Sequence, residues 1–344
     1  MPVSIREVAA RAGVARGTVS TVLNDRGAEV RISLETQARV RRVAEEMGYR
    51  PNRLAQGLGK GRTNIIGLMI AGLRNPFFLN LLEVAEERAF EAGYDVLPDS
   101  AFQLRASYAA SGKLSGWPVD GILLWTDPDH NLSDYLGPQR SDLPVVYLGY
   151  RRTDNSDFVG IDRGPGAREL MQHLWDRGFR RIAYLCPGEG LHATDPRCVA
   201  YLDLCRRTGQ EPEWLRLQSR DSVSIVTQAW MREAGWQIGQ ELAARKPQDR
   251  PDAVICLNDL VALGLYNGLR RAGLRVPEDI AVAGFDGIDE GRLLDRPLTT
   301  VVSPGVPLIE KALEILTQRL DDKERVLPPQ QIVMPSVLQV GETA

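Results

Sequence analysis

The chain has 344 residues, 43% of them hydrophobic and 25% charged, with a net charge of −3. This is the balance of a water-soluble protein of two or three domains, and no apolar run approaches the ~20 residues that a membrane span needs. The four cysteines (Cys186, Cys198, Cys205, Cys256) form no CxxC pair and there are only three histidines, which argues against a zinc site and implies no disulfide framework.

The charge is unevenly placed. Residues 1–62 carry twelve Lys/Arg against six Asp/Glu, whereas residues 63–344 carry thirty against thirty-nine. A basic head on an acidic body predicts that the head alone meets a polyanion. The first residues of the chain, interrupted by Arg6, Glu7 and Arg11, do not read as a secretory signal, so the expected location is the cytoplasm.

In chain order, Ser4-Ile5-Arg6-Glu7 has the spacing of a capping box and predicts a helix to about Ala12, with Ile5, Val8 and Ala9 on one face. Gly13 can take the left-handed conformation that ends it. A second helix is expected over Arg16–Leu23, with Val19, Val22 and Leu23 inward and Arg16, Gly17, Ser20, Thr21 and Asn24 outward. A third follows Ser33 and ends at Gly48, with Val40, Val43 and Met47 as its apolar stripe. Three such helices close a small core and leave the second free to lie in a major groove. There Arg16 is suited to reading guanine, while Thr18, Ser20 and Asn24 are suited to phosphates. A generic three-helix bundle with a solvated polar face has the same periodicity.

From residue 64 short apolar runs alternate with amphipathic stretches. Strands are expected at Ile65–Ile70, Tyr94–Leu97, Gly121–Trp125, Val145–Leu148, Arg181–Leu185, Ala253–Cys256 and Ile280–Gly284, with a last strand-like segment at Ile332–Leu338. Helical patterns cover Phe77–Ala92, Gly166–Asp176, Asp259–Ala272 and Pro307–Leu320. This alternation predicts parallel sheets covered on both faces, and seven or more strands predict two doubly wound lobes. The segment 219–235 has no clear period.

The stretch VSIREVAARAGVARGTVSTVLN followed by GYRPNRLAQGL resembles the lactose-repressor (LacI/GalR) family of bacterial transcription regulators. So do NPFF at 75–78, VDGILL at 119–124, LNDLVALG at 257–264, GLRVPEDIAVAGFD at 273–286 and PLTTV at 297–301, in the family's order along nearly the whole chain. The resemblance implies a small all-α helix-turn-helix head on an α/β body of two doubly wound lobes like those of periplasmic sugar-binding proteins. The implied domains are 1–49 for DNA binding, 50–62 for a hinge helix, and 63–344 for effector binding and dimerisation. The lobes would be about 63–160 plus 288–320, and about 161–287 plus 321–340, with the chain crossing three times.

The resemblance also assigns roles. Ile5, Arg16, Gly17, Thr18, Ser20, Thr21, Asn24 and Arg31 would face operator DNA, with Asn52, Ala55 and Leu58 of the hinge in the minor groove. Leu58 would wedge a base step, at a cost of a few kcal/mol of unstacking. The chain departs from the family at Ala15, where a serine usually caps helix 2, and at Thr21, where an arginine is frequent. Gly57 and Gly59 lower helix propensity beside the wedge.

In open parallel sheets ligands bind beyond the carboxyl ends of the strands. That nominates Asn75, Phe77, Trp125 and Asp127 in one lobe, and Asp162, Arg197, Trp230, Asn258 and Asp286 in the other. Carboxylate, amide and guanidinium groups suit a polyhydroxylated ligand, and an indole packs on a sugar C–H face. Asn258 reads equally as a helix N-cap and Trp125 equally as part of the cleft floor. Gly149 and Ser303 replace polar effector positions of the lactose repressor, which argues against a simple β-galactoside.

Asp162, Asp286 and His192 could be cast as acid/base groups, but no GxSxG, phosphate loop or metal spacing accompanies them, so no enzyme and no cofactor is expected. The expected protein is a homodimeric, allosteric repressor of a pseudo-palindromic operator, controlled by a carbohydrate. It carries no C-terminal leucine heptad for tetramers. The alternatives are a nucleoside effector, a protein corepressor, or a solute-binding protein, against which the fused basic head weighs.

Overall fold

The structure is a computed structural model that describes residues 3–23, 30–49, 62–70, 72–100, 118–125, 143–150, 155–186, 195–217, 230–322 and 326–344. It divides into two compact units, residues 1–63 and 64–344.

The first unit is built from α1 (Ile5–Ala12), α2 (Arg16–Leu23) and α3 (Leu34–Glu46). The capping box is made in full. The Glu7 amide donates to Ser4 Oγ at 3.4 Å, and Glu7 Oε2 accepts from the Ser4 amide at 2.7 Å. Gly13 ends α1 at φ +67°, and Ser33 caps α3 by accepting from the Thr36 amide at 3.3 Å. Val8, Ala9, Ala12, Val19, Val22, Val40, Val43 and Ala44 form the core, ringed by Ile5, Val14, Leu23, Ile32, Met47 and Tyr49. This is the expected packing, and it leaves Arg16 and Gly17 exposed at the start of α2.

The second unit holds two six-stranded sheets. The first contains β1 (Ile65–Met69), β2 (Asp95–Asp99), β3 (Gly121–Trp125), β4 (Val145–Gly149), β5 (Asp157–Asp162) and β11 (Gln331–Pro335), in the order β11-β5-β4-β3-β1-β2, all parallel. The second contains β6 (Ile182–Cys186), β7 (Glu213–Arg216), β8 (Ala253–Cys256), β9 (Ala281–Asp286), β10 (Thr299–Val302) and β12 (Val337–Gln339), in the order β12-β10-β9-β8-β6-β7. Helices α4 (Pro76–Glu91) and α9 (Gly305–Asp321) pack on the first sheet. The second lobe carries α5 (Gly164–Asp176), α6 (Pro196–Thr208), α7 (Met231–Ala244) and α8 (Asp259–Arg271). Central strands such as β8, buried at every position, read as unbroken apolar runs because helices cover both faces.

The chain crosses between lobes three times, after β5, after β10 and between β11 and β12, as the resemblance implied. The lobe limits need two corrections. Residues 299–302, expected in the first lobe, pair with β9 of the second. Residues 331–335, expected in the second, lie beside β5 of the first. A clamp explains the latter: Arg319 of α9 donates to both oxygens of Asp157 at 2.6 and 2.8 Å, and the Gln330 amide donates to the same carboxylate at 2.8 Å. β12 then enters the second lobe from the cleft side, so it runs antiparallel to β10, whose carboxyl end faces that cleft.

Helices α7 and α8 approach unusually closely. A Cβ at Gly264 would overlap the Arg232 carbonyl oxygen, and one at Gly268 would overlap that of Trp236; Gly235 and Gly239 fill the matching positions on α7. The backbones themselves are in contact, so no side chain can yield. Gly264→Ala should therefore destabilise the second lobe by about 1–3 kcal/mol or more, as overpacking does. Denaturant unfolding of the variant beside an exposed-site control such as Glu241→Ala checks this.

Candidate functional site

The carboxyl ends of the two sheets carry the residues that the sequence nominates. From the first lobe, Asn75 caps α4 with Oδ1 accepting from the Phe77 amide at 3.1 Å, and Pro76 occupies the first helical position. Its Nδ2 points the other way, to the second lobe, and donates to Asp286 Oδ2 at 3.1 Å. Both residues are buried, at 2% and 5% exposure, so this bond crosses the cleft out of water. Phe77 and Trp125 lie on an aromatic wall with Phe78 and Tyr150. Neighbouring rings meet edge to face, with Trp125 to Phe78 and Trp125 to Tyr150 both 5.1 Å between centroids. Trp125 is thus the floor of the first lobe's cleft face.

In the second lobe Arg197 is held rigidly. Its Nε and Nη2 donate to Asp195, the shortest contact being 2.6 Å, and its Nη1 donates to the Leu257 carbonyl at the end of β8. Asp195 also caps α6 by accepting from the Arg197 amide at 2.9 Å. Burial alone would raise the Asp195 pKa, but the charge and hydrogen bonds of Arg197 outweigh it and hold the carboxyl well below the usual range. Arg163 follows β5 directly. Its guanidinium carbon stands 2.9 Å from the Tyr150 ring centroid, and its Nη1 is 3.8 Å from Asp195 Oδ2. Burial pushes the Arg163 pKa down and those of Tyr150 and Asp286 up, and Arg163 in turn lowers Asp286.

Asn258 fulfils its N-cap reading: Oδ1 accepts from the Val261 amide at 3.1 Å, while Nδ2 lies 3.1 Å from the Met231 sulfur. Trp230 immediately precedes α7, half-buried, and its indole Nε1 is buried with no hydrogen-bond partner among the described residues. Asp162 stays apart. It is exposed, and its Oδ1 accepts from the Gly164 amide at 2.8 Å, which starts α5. Asp127 and His192 lie outside the described residues, as do Asn24, Asn52, Ala55 and Leu58 of the DNA-facing set. Among the described residues no group of His, Cys, Asp and Glu is placed to hold a metal.

Sequence reasoning missed four members of this cluster. Asp195-Pro196 is the signature of an N-cap with proline at N1, and it would have located α6. Tyr150 and Arg163 sit at the ends of β4 and β5, the positions the strand-end rule nominates, but β5 was unread because Asp157, Gly160 and Asp162 interrupt its apolar run. Asp259 looks like a first-turn surface carboxylate yet is fully buried.

Arg16, Gly17 and Arg31 are exposed, and Ile5, Thr18, Ser20 and Thr21 are half-buried around α1 and α2. Arg31 has φ +54°, a backbone setting that few non-glycine residues adopt.

The model for bacterial regulatory proteins of the lacI family matches residues 4–52, and that for a periplasmic binding protein-like domain matches residues 171–343. The HTH-type transcriptional repressor PurR of Photobacterium profundum is 30% identical over 328 residues, 93% of this chain and 92% of that one. The chain belongs to the lacI family. The ribose operon repressor of Escherichia coli K12 is likewise 30% identical, over 92% of this chain and 93% of its own. The lac repressor dimer bound to operator and the anti-inducer ONPF has the same fold, with a TM-score of 0.79 at 23% identity over 100% of this chain and 99% of that one. The chain is thus a DNA-binding transcriptional regulator with two parallel-sheet lobes, and not an enzyme. Among the described residues no helix is long and apolar enough to cross a membrane.

Removing one partner of a buried ion pair strands the other charge, at a cost of about 3–5 kcal/mol. Asp195→Ala should lose that much stability at neutral pH in denaturant unfolding, whereas Asp162→Ala, at an exposed carboxylate, should lose far less. Because the folded Asp195 pKa is depressed, the wild-type advantage is present above the ordinary carboxylate pKa and fades only as the pH falls below it.

Proposed function

We propose that this regulator is a homodimeric repressor whose affinity for a pseudo-palindromic operator is set by a small polyhydroxylated effector, a sugar or sugar derivative, bound between the lobes. The observation that carries the reading is the buried bond from Asn75 to Asp286 across the cleft, flanked by Arg163 and Arg197. These groups offer amide, carboxylate and guanidinium to one small space, beside an aromatic wall. Vicinal hydroxyls can both donate to Asp286 and accept from Arg163, whose nearest carboxylate oxygen among the described residues is a distant 3.8 Å. The unpartnered Trp230 indole N–H is a further donor for such a ligand. A relative that regulates a ribose operon fits the same chemistry.

Dimerisation is supported by a patch on the second lobe. Leu293 is 84% exposed beside a 360 Å³ hollow lined by Tyr266, Asn267, Arg270, Leu294 and Asp295, where the buried Tyr266 hydroxyl has no hydrogen-bond partner. Leu293→Asp should convert the dimer to monomer at micromolar concentration in sedimentation, and should weaken operator binding with it. A dimer that survives the change places the interface elsewhere.

For DNA, Arg16 is the base reader and Leu58 the minor-groove wedge. Arg16→Ala should lose about 1–3 kcal/mol of operator discrimination while keeping salt-sensitive non-specific binding. Leu58→Ala should do the same through the hinge, and anisotropy titrations over a salt series measure both. A thermal-shift screen with D-ribose, D-glucose, their phosphates and nucleosides tests the effector. A ligand at a hundredfold excess over its Kd stabilises by about 2.7 kcal/mol, and Arg197→Met should abolish the shift. A response to nucleosides alone would replace the sugar reading. No response to any of them, with operator binding intact, would favour a protein corepressor.

A further inference from the structure

We propose that Asp259 is the positioning residue of the effector cleft: its buried carboxylate clasps the turn Asp286–Ile288 and thereby aims the Asp286 side chain at the ligand. This rests on the cleft reading above and gives that site its internal support.

Asp259 is the first residue of α8, where a carboxylate ordinarily faces solvent near the positive end of the helix. Here it is 0% exposed and turned under the sheet. Its Oδ2 accepts from the backbone amides of Gly287 at 2.7 Å and Ile288 at 2.9 Å. Its Oδ1 accepts from the Thr300 hydroxyl at 2.6 Å. One carboxylate thus ties the start of α8 to the end of β9 and to the adjacent strand β10. The turn it holds needs holding. Asp286 has φ +114° and Gly287 has φ +79°, and a non-glycine residue persists at such a φ only where its surroundings over-determine it.

The local sequence is shaped around the clasp. A Cβ at Gly284 would overlap Asp259 Oδ1, and one at Gly287 would press on Val302. The glycines of Gly284-Phe285-Asp286-Gly287 therefore make room for the carboxylate and the turn. Asp286, pinned in this way, meets Asn75 of the opposite lobe. Burial, and next the neighbouring Asp286 charge, raise the Asp259 pKa against the three hydrogen bonds that the group accepts. The group is therefore expensive to keep in place, which suits a role in setting geometry rather than simple packing.

Hydrogen–deuterium exchange of the full-length chain tests this, comparing wild type with Asp259→Asn and Asp259→Ala. Asparagine keeps a carbonyl for the Gly287 and Ile288 amides, and its NH2 can donate to the Thr300 hydroxyl. Asp259→Ala should speed exchange in the peptide spanning 286–288 at least tenfold with the rest of the second lobe unchanged, and Asp259→Asn should restore protection to within about threefold. D-ribose affinity should follow the same order. Unchanged exchange at 286–288, uniform acceleration across the lobe, or Asn behaving like Ala would overturn the proposal. A wild type that binds none of the screened sugars while the exchange contrast holds overturns the effector reading and upholds the clasp.

Discussion

The cleft face of the second lobe depends on one buried ion pair. Arg197 and Asp195 are only two residues apart, yet between them they cap α6, fix the carbonyl at the end of β8 and set the charge that Arg163 and Asp286 experience. Two charges taken out of water pay a desolvation penalty that their attraction offsets only when geometry is good and the remaining hydrogen-bonding capacity is used. Here the fork of the guanidinium meets both carboxylate oxygens and a third acceptor on β8. The pair stabilises little compared with an apolar substitute of the same shape. What it contributes is a rigid polar surface at the carboxyl end of β8.

Control of DNA binding requires that surface to differ between two lobe arrangements. The bond from Asn75 to Asp286 is the element that can differ, because its two ends belong to separate sheets. A ligand that merely fits the cleft shifts nothing; one that binds the closed arrangement better shifts the equilibrium by its differential affinity, typically 1–3 kcal/mol in such systems. The amide and the carboxylate satisfy each other when no ligand is between them. Any ligand inserted there would have to replace that bond, so its gain would be the surplus and not the whole contact set.

Much of this was legible in the sequence, and the limits have physical causes. Buried central strands such as Ile65–Met69 and Ala253–Cys256 were found because a strand covered on both faces is an apolar run. The edge strand Glu213–Arg216 hides because only one of its residues is buried, so it shows no run and no alternation. The helices Pro196–Thr208 and Met231–Ala244 hide for another reason. The buried stripe of the second is partly glycine, because backbones meet there, and glycine carries no hydrophobic signal. Of the cleft residues, Asn75, Phe77, Trp125, Arg197 and Asp286 could be named from strand ends. Asp195 could not, because its role is to serve Arg197. Asp259 reads as a first-turn carboxylate by its place in α8, and sequence cannot say that such a group turns inward toward two amides of another loop.

The head shows the converse economy. Helix α2 lacks a capping side chain at Ala15 and has no acidic residue in its first turn or basic residue in its last. Its place is fixed instead by Val19 and Val22, which are fully buried against α1 and α3, and by the complete capping box that anchors α1. Helices of eight residues have little stability of their own and take it from the packing of one face. The other face lies at or near the surface, with Arg16 and Gly17 exposed and Thr18, Ser20 and Thr21 half-buried. The missing cap at Ala15, worth about 0.5–2 kcal/mol where a serine or threonine supplies it, is thus left to that packing rather than to any local signal.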